Sequence, residues 1–130
     1  MNVLSLFDGI SCGYMALKRA GFSNFTYYAS EIDPYALEIS KKVSSEIIQL
    51  GDVRQINSSN LPKIDLLIGG SPCQGFSRLN KGGQEGFDHP QSGLFFEYVR
   101  LHKELKPTYF LLENVICYLN GEIGSLARWV

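Results

Sequence analysis

Apolar runs of strand length alternate with stretches of helical period from the N-terminus to about residue 113, and this alternation restricts the chain to very few architectures. The run "IDLLIGG", Ile64 to Gly70, is apolar at nearly every position, which suits a strand buried on both faces. Strands of that kind, separated by helices, form a parallel sheet covered on both sides. "NVLSLF" is the first strand, and "GISCGYMALKRAG" supplies a Gly-rich turn and a helix with Cys12, Met15, Ala16 and Ala20 as its apolar positions, stopped at Gly21. "TYYASE" is the second strand. Asp33 as N-cap and Pro34 as first helical residue start the helix "DPYALEISKKV". "SEIIQLGD" holds a short third strand, "IDLLIGG" is the fourth, and "TYFLLENV" is the fifth. Between the last two, "SGLFFEYVRLHKELKP" places Leu94, Tyr98, Leu101 and Leu105 at helical spacing and ends at Pro107. The expected fold is α/β, a doubly wound and mainly parallel sheet that stops after about five strands. After Val115 the pattern weakens, so residues 1–115 read as one partial domain and 116–130 as a divergent tail.

Charge and cysteine usage remove several functional classes. Twelve Lys and Arg against 13 Asp and Glu leave a net charge of -1, so no global positive field holds this chain on a polyanion. Nucleic-acid binding therefore needs a local patch or a partner. Cys12, Cys73 and Cys117 are odd in number, widely spaced and without a CxxC pair, which indicates neither a disulfide framework nor a zinc site. No run approaches the ~20 apolar residues of a membrane span. Asp8 interrupts the stretch where a signal peptide needs apolar continuity. The expectation is a soluble, intracellular protein with no metal and no membrane contact.

In open α/β sheets, ligands sit beyond the carboxyl ends of the strands, where the strand order reverses. The chemistry-bearing residues of this chain fall at such ends. "FDGISCG" follows the first strand, and its glycines either admit a nucleotide-like ligand or serve the turn sterically. Glu31 closes the second strand, either as acceptor for both ribose hydroxyls or as a helix-initiating carboxylate beside Asp33. Asp52 ends the third, as acceptor for an exocyclic amine or as an ordinary turn aspartate. Cys73 lies on the loop after Gly69 and Gly70, where Pro72 limits the backbone and nearby N–H groups can stabilise a thiolate; the alternative is an inert small hydrophobe. Glu113 ends the fifth strand and comes close to that loop if the fourth and fifth strands pair, or else it serves backbone donors. His89 and His102 have no arrangement that suggests a base or a ligand.

The segments "LFDGISCG", "SEID", "GDVR", "GGSPCQGFS" and "LLENV", in this order, resemble the S-adenosylmethionine-dependent DNA cytosine-5 methyltransferases over residues 1–115. The resemblance implies the Rossmann-like fold of such methyltransferases. It implies that Phe7, Asp8, Gly9, Ile10, Gly13, Glu31, Ile32, Asp52, Val53 and Leu94 contact S-adenosylmethionine, which leaves as S-adenosylhomocysteine. It further implies that Cys73 is the nucleophile and Glu113 its acid partner, supported by Pro72, Gln74, Ser77 and Asn114. The substrate it implies is double-stranded DNA with the target cytosine flipped out. The polar loop from Arg78 to Ser92 is then a lid over that base, with Arg78 and Lys81 in reach of phosphates.

The family pattern continues beyond the 130 residues, with a target-recognition region and further strands. Two readings follow. In one, these residues are the catalytic and cofactor part of an enzyme completed by a complementary chain. In the other they are a noncatalytic remnant that binds cofactor or other proteins, with RNA as a variant substrate of the first. The location is cytoplasmic for a prokaryotic or phage source and nuclear for a eukaryotic one.

Overall fold

The computed structural model describes residues 1–72 and 92–113. Strands β1 (Asn2–Leu6), β2 (Thr26–Ser30), β3 (Ile48–Gln49), β4 (Leu66–Gly69) and β5 (Tyr109–Leu112) form one parallel sheet in the order β3-β2-β1-β4-β5. Helices α1 (Cys12–Arg19), α2 (Pro34–Val43) and α3 (Phe95–Leu105) connect them, together with 3₁₀ turns at Val53–Gln55, Ser58–Asn60 and Ser92–Leu94. The order reverses between β1 and β4, so the carboxyl ends of these two strands diverge and leave a crevice. Among the described residues no helix is long and apolar enough to cross a membrane.

Side-chain alternation along β1 sends Leu4 and Leu6 to one face and Val3 to the other, and each face has its own core. Leu4, Leu6 and Leu67 meet Tyr98 and Leu101 of α3, together with Val53, Ile56 and Ile64 from the connection after β3. Val3, Tyr27 and Ala29 meet Tyr14 of α1, with Leu17 and Val43 at the margin. Helices therefore cover both faces, as a doubly wound sheet requires. The helical spacing of Leu94, Tyr98, Leu101 and Leu105 does face the core, the first and last being partly buried. Asp33 caps α2 by accepting from the Tyr35 and Ala36 N–H groups, with Pro34 behind it as first helical residue.

Two expectations need correction. Cys12, Ala16 and Ala20 are exposed, and α1 instead turns Gly13, Tyr14 and Leu17 inward. The reason is a close approach: a Cβ on Gly13 would stand 2.5 Å from the Tyr27 hydroxyl and 2.6 Å from Ile68 Cδ1, so glycine lets the helix settle on the sheet. Tyr14 then packs edge-on against Tyr27, with ring centroids 5.5 Å apart. Gly13→Ala is expected to destabilise the fold by about 1–3 kcal/mol through overpacking. The measurement is a lowered urea midpoint at unchanged slope. The third strand is the second correction, since only Ile48 and Gln49 pair with β2 at the sheet edge. The fifth strand lies at the other end of the sheet, where Tyr109, Phe110 and Leu111 are 69%, 49% and 63% exposed.

Candidate functional site

The chain leaves β1 through a strained turn. Phe7, Gly9 and Ser11 all have positive φ, 56°, 60° and 63°, and for Phe7 and Ser11 that conformation persists only where the surroundings impose it. Part of the constraint is Glu31. Its Oε2 accepts the Gly9 N–H at 2.8 Å, and its Oε1 accepts those of Ile32 and Asp33 at 2.8 and 2.9 Å. One carboxylate thus ties the turn after β1 to the end of β2, while the cap of α2 itself is Asp33. Three of its roughly four acceptor positions are taken, leaving one on Oε2.

Phe7, Glu31, Ile32, Asp52, Val53 and Leu94, all singled out from the sequence, line one pocket of about 200 Å³. Ser30, Arg54 and Pro72 complete it. Apolar walls with a carboxylate from each of two strand ends suit a flat heteroaromatic group that carries hydroxyls or an amine. Asp52 also caps the 3₁₀ turn Val53–Gln55, and the Arg54 guanidinium grips both of its oxygens at 2.5–3.0 Å. That side-chain hydrogen bond, followed by the Arg54 backbone N–H, holds the Asp52 carboxyl below its ordinary 3.8. A carboxyl with a depressed folded pKa stabilises fully above its unfolded value and loses that contribution as pH falls through the folded value. The stability difference between the parent chain and Asp52→Asn is therefore expected to hold at neutral pH and to shrink below pH 3.8, as urea unfolding over a pH series will measure.

The turn Val53–Ile56 is pinned from the opposite side. Arg100 on α3 donates to the carbonyls of Val53 and Ile56 at 3.2 and 3.3 Å while Glu97 and Glu104 neutralise it. Sequence reasoning passed over Arg100, Ser30 and Arg54. "GDVR" and "SEID" contain the last two but no periodicity marks them, and Arg100 reads as a helix-surface charge.

A crevice of about 260 Å³ adjoins at the β1/β4 divergence and shares Phe7 with the first pocket. Asp8, Cys12, Gly13, Gly70 and Glu113 border it. The pairing of β4 with β5 puts Gly69 opposite Leu112, and the Glu113 N–H donates to the Gly69 carbonyl at 3.0 Å. A Cβ on Gly69 would meet the Leu6 carbonyl at 2.8 Å, so glycine is required there by close approach, and one on Gly70 would stand 2.9 Å from Glu113 Oε2, the tip of a side chain that can move aside. Glu113 thus stands beside the start of the loop that leads to Cys73. Tyr98, fully buried, spans the two strands with its hydroxyl 3.4 Å from the Leu67 carbonyl and 3.3 Å from that of Leu111. Asp8 accepts from the Tyr27 hydroxyl, whose pKa is pushed well above 10 by burial and then by the Asp8 charge. Ile10 is exposed and borders neither cavity. Cys73, Gln74, Ser77, Asn114 and the loop from Arg78 to Gln91 lie outside the described residues.

The sequence model of the C-5 cytosine-specific DNA methylases matches residues 1–122. The chain belongs to this family. Among relatives of this chain, the orphan methyltransferase M.SPRI of Bacillus phage SPR is 39% identical over 127 residues, 96% of this chain and 28% of the phage protein. Type II methyltransferase M1.ScrFI of Lactococcus lactis subsp. cremoris is 42% identical over 118 residues, covering 88% and 28%. Type II methyltransferase M.FnuDI of Fusobacterium nucleatum is 39% identical over 115 residues, covering 88% and 32%. The chain thus spans roughly a quarter to a third of these relatives' length. A solved structure of Spodoptera frugiperda DNMT2 superposes with a TM-score of 0.73 at 24% identity, over 96% of this chain and 38% of that one. The fold is accordingly that of the DNMT2 structure, Rossmann-like with a doubly wound parallel sheet.

Proposed function

We propose that this methylase chain binds S-adenosylmethionine and forms the catalytic part of a DNA cytosine-5 methyltransferase, acting together with a further segment or second chain that supplies DNA recognition. The observation that carries the reading is the convergence of Phe7, Glu31, Ile32, Asp52, Val53 and Leu94 on one pocket beside the crevice bordered by Glu113. The pocket fits the cofactor's nucleoside. Phe7, Ile32, Val53 and Leu94 offer apolar surface to the adenine, and Asp52 accepts from its amine once the exposed Arg54 guanidinium gives up one of the oxygens it holds. Glu31 has one acceptor position free, so it takes one ribose hydroxyl while its other positions hold the backbone. Asp8, Gly9 and Ile10 belong to the turn that follows Phe7, and Gly13 lies on α1, where it acts through packing.

When bound, S-adenosylmethionine supplies an electrophilic methyl group for carbon-5 of cytosine. Carbon-5 is a weak nucleophile, and the chain's own residues activate it. The Cys73 thiolate adds to carbon-6, so that an S–C6 bond forms and the C5–C6 π pair moves onto carbon-5. Glu113, beside Gly70 at the mouth of the loop, protonates or hydrogen-bonds ring nitrogen-3 and spreads the charge that the addition creates. Once carbon-5 is substituted, a base removes its proton, the electron pair re-forms the double bond, and the thiolate leaves. Pro72, Gln74, Ser77 and Asn114 support this loop, and the polar loop from Arg78 to Ser92 covers the flipped base.

The exposed edge of β5 supports the need for more chain. Three consecutive apolar residues at the end of a parallel sheet ordinarily pair with a neighbour or are covered. The 130 residues are expected to bind S-adenosylhomocysteine by calorimetry and to transfer no labelled methyl group to duplex DNA by themselves. Methylation by this chain alone would refute the requirement for a second part, and absence of cofactor binding would refute the pocket assignment.

A further inference from the structure

The turn that carries Phe7 and Gly9 is held from inside the protein by a chain of buried hydroxyls. Ser11 stands at the N-terminus of α1, where serine ordinarily caps the helix, yet its hydroxyl makes no cap bond. It is fully buried, with Oγ 2.5 Å from Asp8 Oδ2 and 2.6 Å from the Oγ of Ser40, which is fully buried on α2. Ser40 Oγ lies 2.8 Å from Gln49 Nε2 on β3, and the Tyr27 hydroxyl donates to Asp8 Oδ1 at 2.8 Å. The network joins the β1 turn to β2, α2 and β3.

The direction of every proton follows from the carboxylate, which can only accept. Ser11 has one proton and commits it to Asp8. At the 2.6 Å contact Ser40 must then be the donor. With its proton used, Ser40 can only accept from Gln49, which turns the amide nitrogen towards Ser40 and leaves the buried Oε1 without a partner among the described residues. With the amide reversed, two hydroxyl protons would serve three contacts and one of the three would hold no hydrogen. An unpaired buried acceptor destabilises the fold. A network that persists in spite of it, next to three positive-φ residues, acts on geometry more than on net stability.

We propose that Ser40 is a positioning residue for the pocket: by donating to Ser11 it orients the Ser11–Asp8 bond and holds the turn so that Phe7 faces the pocket and the Gly9 N–H meets Glu31. The role in binding rests on the cofactor reading of the pocket. The role in the turn stands apart from it.

Amide hydrogen exchange and S-adenosylhomocysteine calorimetry on the 130-residue chain test both. In Ser40→Ala the amides of Asp8 and Gly9 are expected to exchange about tenfold faster, while those in the centre of β1 are unchanged, and affinity is expected to fall about fivefold, the scale of one hydrogen bond. Ser40→Thr, which keeps the hydroxyl, behaves as the parent. Ser11→Ala reproduces the effect, and the double variant is no worse than either single one, because both changes break the same chain. Unchanged exchange at Gly9, or additive losses in the double variant, overturns the proposal. If Ser40→Ala does not fold, Ser40→Cys, which puts a weaker donor at the same position, takes its place: faster exchange at Gly9 supports the role, and unchanged exchange overturns it. A parent chain that binds no S-adenosylhomocysteine overturns the cofactor reading, and the exchange results still decide the positioning role.

Discussion

Cys73→Ser is expected to abolish methyl transfer in an assembly that methylates DNA, by at least about 10⁴-fold, the scale seen when a nucleophile is removed. Serine keeps the shape and loses the chemistry, because a hydroxyl is barely ionised at neutral pH whereas a thiol has a far lower pKa and supplies a thiolate. The same change should eliminate the covalent complex with DNA containing 5-fluorocytosine, since that complex needs the S–C6 bond. Activity or trapping that survives in Cys73→Ser would remove this residue from the mechanism. Glu113→Gln separates the two steps. Its amide keeps a hydrogen bond to ring nitrogen-3 but cannot supply a proton, so a fall of about 100-fold in rate is expected with DNA binding unchanged. Weakened DNA binding at unchanged single-turnover rate would assign Glu113 to structure instead. The paired strands that set Glu113 beside Gly70 make this test specific to position.

Glu31→Ala is expected to weaken S-adenosylhomocysteine binding by about 10- to 100-fold, because it removes a charged acceptor and releases the Gly9, Ile32 and Asp33 N–H groups together. Calorimetry measures the affinity, and amide exchange at Gly9 reports the turn. Glu31→Gln keeps one acceptor oxygen and is expected to fall between parent and alanine. An affinity unchanged by Glu31→Ala would refute the assignment of this residue to the pocket.

Much of the site was legible before the fold. Phe7, Glu31, Ile32, Asp52 and Val53 follow strand ends, and in a parallel sheet these ends meet on one edge, so motif positions translate into one cavity; Leu94, at the start of α3, was implied by the family resemblance alone. Gly13 was legible as a glycine and illegible as to cause. Its need for glycine comes from Tyr27 and Ile68, which lie on other strands. The inward face of α1 was misjudged for the same reason, since apolar counting favours Cys12 and Ala16 and cannot see that a tyrosine fits where the glycine lets the backbone approach. Arg100 was passed over in the sequence, because only the path of the β3–β4 connection brings the Val53 and Ile56 carbonyls to it.

The sequence by itself determined the sheet, the order of its elements, the capping of α2 and the family, because apolar period, Asp-Pro chemistry and strand-end motifs are local or evenly spaced signals. The tertiary structure alone decided that Glu31 serves three backbone donors, that Glu113 meets Gly70, and that Ser40 reaches Asp8 through Ser11. Hydrogen bonds between distant segments depend on register and on the depth at which each helix settles, and no local pattern encodes either.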